Sequence, residues 1–357
     1  MPEARRAPIR SVRRWLAIAT AIVVAVVVVA AREQLLAAWQ SLDRVDPLIL
    51  AALVPIFLLS LWTTAETLFG YLRGRGELRR LSPWAAMRLS LEFNFTNHLV
   101  PSGGAAGIAY TAWRLRDYGV AAGQATVAQL ARFAVTFASF TLLLGVAIAT
   151  LALGGRATPA MLWAAGLVAG LAIAAIALGV LLLGRRRRAH RVAGGIARLG
   201  NALARPFTRR RLDPAPLIRL GDAMHLETRS ILDRPRRLWR PFLWSFAVNL
   251  LDASLCWVAI AAFGELADPA VVFVAYGVAT VASMIAVTPN GAGPYEIALI
   301  GTLVAGGTAA APAIAGVVLM RAFLLVGTIA AGWPLYHRSV ARRPIAAAST
   351  AGECAKC

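Results

Sequence analysis

Arg132 and Arg321 each stand alone in an apolar stretch, 31 residues after Pro101 (132 − 101) and 32 after Pro289 (321 − 289). Both prolines sit in Pro/Gly clusters that interrupt hydrophobic runs: Asn97-His98-Leu99-Val100-Pro101-Ser102-Gly103-Gly104, and Thr288-Pro289-Asn290-Gly291-Ala292-Gly293-Pro294-Tyr295-Glu296. A guanidinium presents a rigid fork of donors that suits a phosphate. The breaks add a second anion-binding device. Pro101 and Pro289 stop an incoming half-helix, and the glycines allow a sharp turn. Each outgoing half-helix, starting near Gly104 and near Pro294, then aims its N–H groups and positive dipole end at the break. The chemistry this predicts is reversible anion binding by Asn97, Pro101, Gly103, Gly104, Arg132, Pro289, Gly291, Gly293, Glu296 and Arg321.

The ionisable residues inside apolar runs are Glu66, Arg88, Glu92, His98, Arg132, Asp252, Glu296 and Arg321. At a cost of at least about 2.5 to 3.5 kcal/mol each in a bilayer, such groups face a polar cavity or one another. Arg88 and Glu92 are spaced for a pair on one helix face. Glu66 is placed to snorkel toward the interface. Arg132 and Arg321 lie about nine residues into their spans, roughly 13 Å at the helical rise. They either bind an anion or form structural pairs with Asp252 or Glu92. Glu296 is either an N-terminal cap or a group whose protonation couples to transport. Glu92, Asp252 and Glu296 are the candidates for proton coupling or ion pairing.

Catalysis finds no support. The four histidines are scattered without ligand spacing, no Ser/His/Asp set is brought together, and neither a P-loop nor a Rossmann glycine pattern occurs. We expect no enzyme activity, no cofactor and no metal.

The elements that must position these residues are read from hydropathy. The 357 residues are 59% hydrophobic, with several continuous apolar runs of Ala, Leu, Val, Ile and Gly. This predicts an all-α polytopic membrane protein and argues against a β-barrel, whose strands alternate. The formal net charge of +20 sits at the ends of apolar segments, where the positive-inside rule places arginine, so we expect no nucleic-acid partner. Cys256 falls inside an apolar run, and Cys354 and Cys357 form a C-x-x-C in a polar tail that reads as disordered. Residues 12–31 resemble a signal peptide, but the Val-rich core is long enough to span and reads as a retained first helix.

Six full spans are expected, at 15–31, 48–72, 124–153, 160–183, 241–263 and 312–336. The N-terminus, the linker at 73–80, the segment 185–240 and the C-terminal tail are strongly basic and belong in the cytoplasm. The segments 32–46, 154–159 and 264–268 carry little or negative charge and face outward. The broken segments then leave and return on one face: 83–116 from inside, 269–307 from outside. Two close-packed full spans in place of each hairpin would keep the same crossing parity. Two units of span, re-entrant hairpin and Arg-bearing span follow with opposite orientation, an inverted repeat.

The expected divisions are 1–47 (basic segment, first span, external linker), 48–153 (first repeat), 154–240 (linking span and basic segment), 241–336 (second repeat) and 337–357 (disordered cytoplasmic tail). Within the basic segment, Val192, Ile196, Leu199 and Leu203 share one helix face between arginine runs, as on a helix lying on anionic headgroups. A solvated basic linker is the alternative.

At the same turns the chain resembles the lysylphosphatidylglycerol synthase transmembrane family, the flippase-like membrane domain also found at the N-terminus of bacterial multiple peptide resistance factors. The resemblance rests on Asn97-x-x-x-Pro101-x-Gly103-Gly104 with Arg114 after it, and on Pro289-x-Gly291-x-Gly293-x-x-Glu296 followed by Arg321. It covers about 48–336. It implies translocation of aminoacylated phosphatidylglycerol, or of related polyanionic and isoprenoid-linked lipids, between leaflets. The chain ends at residue 357 with no aminoacyl-transfer domain, so lipid-modifying activity is expected to be absent.

The resulting expectation is an inner-membrane lipid translocase, with headgroup phosphate passing between Arg132 and Arg321 and the hairpins acting as alternate gates. Membrane lipids with anionic headgroups are the expected partners. The alternatives are a secondary permease for a soluble anion, and a non-transporting scaffold whose partner is a lipid-modifying enzyme.

Overall fold

The computed structural model describes residues 29, 36, 45–78, 81–99, 105–204, 215–285 and 293–342. Within them the chain is an all-α polytopic membrane protein, with no strand among the described residues. The helices are α1 (Pro47–Gly74), α2 (Pro83–Leu99), α3 (Ala105–Leu115), α4 (Ala122–Leu153), α5 (Pro159–Leu183) and α6 (Arg186–Ala204). They continue with α7 (Ala215–Asp233), α8 (Trp239–Ala261), α9 (Pro269–Ile285), α10 (Pro294–Ala305) and α11 (Ala310–Arg342).

Local chemistry sets where these helices begin. Five of them open on a proline, whose missing N–H and fixed φ suit the first helical position. Side chains just before the proline then take orphan N–H groups. Asp46 accepts from Leu48 at 2.8 Å, Ser82 from Ala85 at 3.2 Å, Thr158 from Met161 at 3.3 Å and Asp268 from Ala270 at 2.8 Å. At the start of α10 the preceding residue is Gly293, at φ 94°, and Glu296 reaches back to accept the Gly293 N–H at 2.6 Å. A residue other than glycine would be strained there.

Five helices are long and apolar enough to cross a membrane: α1, α4, α5, α8 with its preceding turn, and α11. They coincide with five of the six expected spans. The sixth, 15–31, lies outside the described residues. The two broken segments are pairs of shorter helices, α2 with α3 and α9 with α10, whose arms pack on each other. The outgoing arms have 11 and 12 residues. At the helical rise that is about 16 to 18 Å, well short of the ~30 Å hydrocarbon thickness.

Packing of the two sets of elements is reciprocal. At the centre α1 lies along α8. Around it α2 packs on α11 and α9 packs on α4, so each hairpin's incoming arm rests on the long span that closes the other unit. Both crossings use a glycine beneath an aromatic ring. Gly332 of α11 lies under Phe95 of α2, and Gly277 of α9 lies under Phe140 of α4. Phe140 also stacks on Phe273 at 5.1 Å between centroids. Small residues let membrane helices approach closely where lipid offers no hydrophobic drive between them.

The basic parts are more ordered than the sequence suggests. The segment 185–240 contains two helices, α6 and α7, packed on each other through buried Ala189, Ala193 and Ala197. Helix α7 is anchored in turn, with Glu227 accepting from Tyr71 at 2.5 Å and paired with Arg75, and with Ala223 against Gly123 of α4. Val192 and Ile196 point away from that contact, while the side chains of Leu199 and Leu203 lie outside the described residues. The small-residue face won the intramolecular contact because alanines let the two backbones approach.

The expected disordered tail at 337–357 starts too early, since α11 runs on to Arg342. Ser339 donates to the buried Glu92 at 2.5 Å and holds that last turn in place.

Candidate functional site

Polar stripes at helical spacing run through two of the apolar helices. In α1 the stripe is Ser60, Thr64 and Thr67, and in α9 it is Tyr276, Thr280 and Ser283. Where these meet α2, α8, α10 and α11 they enclose a cavity of about 220 Å³. Its polar lining includes Ser60, Asn94, His98, Asp252, Tyr276, Tyr295 and Arg321. Ser60 lies 13 residues from the start of α1 (60 − 47) and 14 from its end (74 − 60), so the cavity opens midway along a span.

On one wall, Asp252 of α8 accepts from the Ser60 hydroxyl at 2.5 Å and, more weakly, from the Tyr276 hydroxyl at 3.4 Å. On the other, Arg321 of α11 donates from Nε to Glu296 Oε1 at 2.6 Å, and its guanidinium lies 4.6 Å from the Tyr295 ring centroid. Both side chains of that pair are 11% exposed. His98, at the end of α2, donates from Nδ1 to the Asn94 carbonyl at 2.8 Å, which leaves Nε2 as its acceptor.

Arg132 is elsewhere. Its Nε donates to Gln129 Oε1 at 3.1 Å, one turn away on α4, and its guanidinium lies 4.9 Å from the Phe93 centroid and 4.7 Å from that of Phe133. It is within electrostatic range of Asp252 but does not line the cavity with Arg321. The expected alternative of a pair with Asp252 or Glu92 is not what forms. Among the described residues no carboxylate lies within 4 Å of Arg132. Arg321 takes Glu296, which becomes both a cap and an ion-pair partner.

The first hairpin is fixed by a different set. Asn97 Oδ1 accepts the Gly107 N–H at 3.0 Å, so a side chain of α2 caps the first turn of α3. Asn97 is therefore a turn staple. Glu92, fully buried, accepts from Tyr110 at 2.8 Å, Arg114 at 3.2 Å and Ser339, and Arg88 forms the expected ion pair with it one turn away at 3.8 Å. Glu66 reaches toward the end of α1, where Arg73 binds both of its oxygens at 2.7 and 2.6 Å.

Of the expected site residues, Asn97, Glu92, Arg132, Asp252, Gly293, Glu296 and Arg321 are described. Pro101, Gly103, Gly104, Pro289 and Gly291 lie outside the described residues. Asp252 and Arg321 come together at the cavity with Glu296 behind Arg321, whereas Glu92 and Asn97 serve the hairpin. Ser60, Asn94, Tyr276 and Tyr295 had no place in the expected site. Their signal was present as polar residues recurring at helical spacing in apolar helices, which a search for charged residues passes over.

A chain whose breaks, paired arginine and polar cavity fall at these positions matches the family described as Lysylphosphatidylglycerol synthase TM region over residues 15–332. The chain belongs to this family. As a member of the lysylphosphatidylglycerol synthase TM region family it is a membrane protein linked to lipid handling. Neither a curated protein nor a solved structure matches it. The family match covers both pairs of shorter helices, the cavity residues and helices α6 and α7.

Proposed function

We propose that the protein is a lipid translocase of the inner membrane, moving a lipid with an anionic headgroup between leaflets without catalysing a reaction on it. The observation that carries this reading is the polar cavity midway along the membrane-spanning helices, lined by Arg321. Such a pocket gives a headgroup a place to cross while the acyl chains stay in the bilayer. Ionisable groups at that depth ordinarily face a path of this kind.

Arg321 is the phosphate-facing group in this reading. Glu296 holds its guanidinium through Nε, and the side chain lines the cavity that a headgroup would enter. Arg132 is a second, aromatic-flanked cation met on the way to or from the cavity. The two hairpins are re-entrant and act as gates on opposite faces. The short outgoing arms and the reciprocal packing of each incoming arm on the other unit support an inverted-topology repeat. Arginine-rich ends support a cytoplasmic side for both termini and the α6–α7 layer.

The test is leaflet exchange of headgroup-labelled anionic, aminoacylated and isoprenoid phosphate lipids in proteoliposomes. Wild type should exchange one class, and Arg321→Ala, folded and inserted, should lose it by at least tenfold. Undiminished exchange in Arg321→Ala would overturn the reading. Uptake of a soluble anion into sealed vesicles would point to a permease, and loss of function on neutralising 185–240 alone would point to a scaffold.

A further inference from the structure

We propose that Asp252, rather than Glu296, is the group that takes up and releases a proton in this site; what that proton drives rests on the translocase reading above. The two carboxylates differ in what holds them. Glu296 is committed twice, to the Gly293 N–H and to Arg321 Nε, both at 2.6 Å. Protonating it would weaken the bond that opens α10 and break its ion pair with Arg321. Among the described residues, Asp252 is held by hydroxyls alone, Ser60 at 2.5 Å and Tyr276 at 3.4 Å.

Hydroxyls both donate and accept, so those partners fit either state of the carboxyl. Ionised, Asp252 accepts from both. Protonated, its new O–H donates to Ser60 or Tyr276, whose own hydrogens turn elsewhere. Both hydroxyls line the cavity, where water can take the displaced hydrogen, so the change avoids an orphaned buried donor, which would cost about 1 to 3 kcal/mol. The O–H bond forms with a proton taken from water in the cavity and breaks by returning it to water, so the balance needs no other reactant.

The surroundings leave Asp252 without a counter-ion in contact. The charged and titratable groups facing it are Arg132 from α4, Tyr276 from α9, Tyr295 from α10, Arg321 from α11 and His98 from α2. Helix α1 contributes the hydroxyls Ser60 and Thr64. Among the described residues no arginine or histidine nitrogen lies within 4 Å of its carboxylate. An alkali cation is a poorer occupant. Coupling cations in transporters use backbone carbonyls freed at unwound helix, whereas Asp252 and Ser60 lie inside the continuous helices α8 and α1, and the one internal proline of α1, Pro55, frees a carbonyl more than two turns before Ser60.

Two measurements on the full-length protein test this. The first is an infrared pH titration in nanodiscs, following the carbonyl band of a protonated carboxylic acid. A titrating band that Asp252→Asn removes, with the helical amide bands unchanged, is the expected result. A band unaffected by that change, or removed by Glu296→Gln instead, would overturn the proposal. The second is the ratio of lipid exchange with and without an imposed pH gradient. Wild type should show a several-fold ratio, Asp252→Asn a ratio of one whatever its absolute rate, and Asp252→Glu a restored response. Dependence on a sodium gradient in place of a pH gradient, or exchange indifferent to both, would refute proton coupling and leave the translocase intact. Absence of exchange altogether would sink the translocase reading, and the infrared band would then decide alone whether Asp252 carries a proton.

Discussion

Glu296 joins two helices through one carboxylate: Oε2 takes the Gly293 N–H that opens α10, and Oε1 takes Nε of Arg321 on α11. The two bonds serve different ends, one holding the turn and the other the guanidinium. Removing one partner of a buried ion pair leaves the other charge uncompensated, at about 3 to 5 kcal/mol. Glu296→Ala should therefore lower thermal stability sharply. Glu296→Gln retains an acceptor for the cap and should be milder by about 1 kcal/mol. Unfolding in nanodiscs reads both, and equal losses in the two variants would refute the capping role.

Asn97 does for α3 what Glu296 does for α10, but from the opposite arm. Asn97→Ala strands the Gly107 N–H and should cost about 1 to 3 kcal/mol. Asn97→Asp keeps the acceptor and should recover most of it. Gly107→Ala should be worse than either, because a methyl group there runs into both Asn97 and Phe93. Hydrogen exchange at the start of α3 is the measurement, and protection unchanged in Asn97→Ala would count against the staple.

The glycines at the reciprocal crossings should be intolerant in parallel. Gly277→Ala meets the Phe140 ring and Gly332→Ala meets Phe95. Overpacking of this kind costs about 1 to 3 kcal/mol. Gly301 in α10 has open space around it, so Gly301→Ala should be neutral or stabilising by up to about 1 kcal/mol. Thermal unfolding of the three variants side by side would expose a wrong packing if Gly301→Ala proved the most damaging.

The α6–α7 layer should loosen in acid. Hydrogen bonds from Arg186 first, and from His190 second, hold the Asp222 carboxyl down to about 2. A group whose folded value lies below its unfolded one adds stability above the unfolded value and loses it as pH falls through the folded value. The contribution is present at neutral pH and disappears between the ordinary aspartate value of about 3.9 and about 2. Hydrogen exchange on α6 should accelerate over that window in wild type and show no such step in Asp222→Asn.

What was legible in the sequence is local. Asp46-Pro47, Ser82-Pro83, Thr158-Pro159, Asp268-Pro269 and Gly293-Pro294 each mark a helix start within one turn of chain. Length and hydropathy then give the spans, because a bilayer asks only whether some twenty residues are apolar. The glycine at 293 also needed no tertiary information, since its backbone conformation excludes other residues.

The choice of partners was not legible. Arg132 and Arg321 look alike along the chain, yet one bonds Gln129 a single turn away between two rings and the other bonds Glu296, 25 residues distant (321 − 296). Asp252 meets Ser60 across 192 residues only because α1 lies along α8. Caps, breaks and spans are decided by interactions within a few residues, so the sequence by itself determined them. Which buried charge meets which partner depends on how helices dock and rotate against one another, and that was settled only when Gly277, Gly332 and Gly316, the last against the Ile260 backbone of α8, let the helices close together.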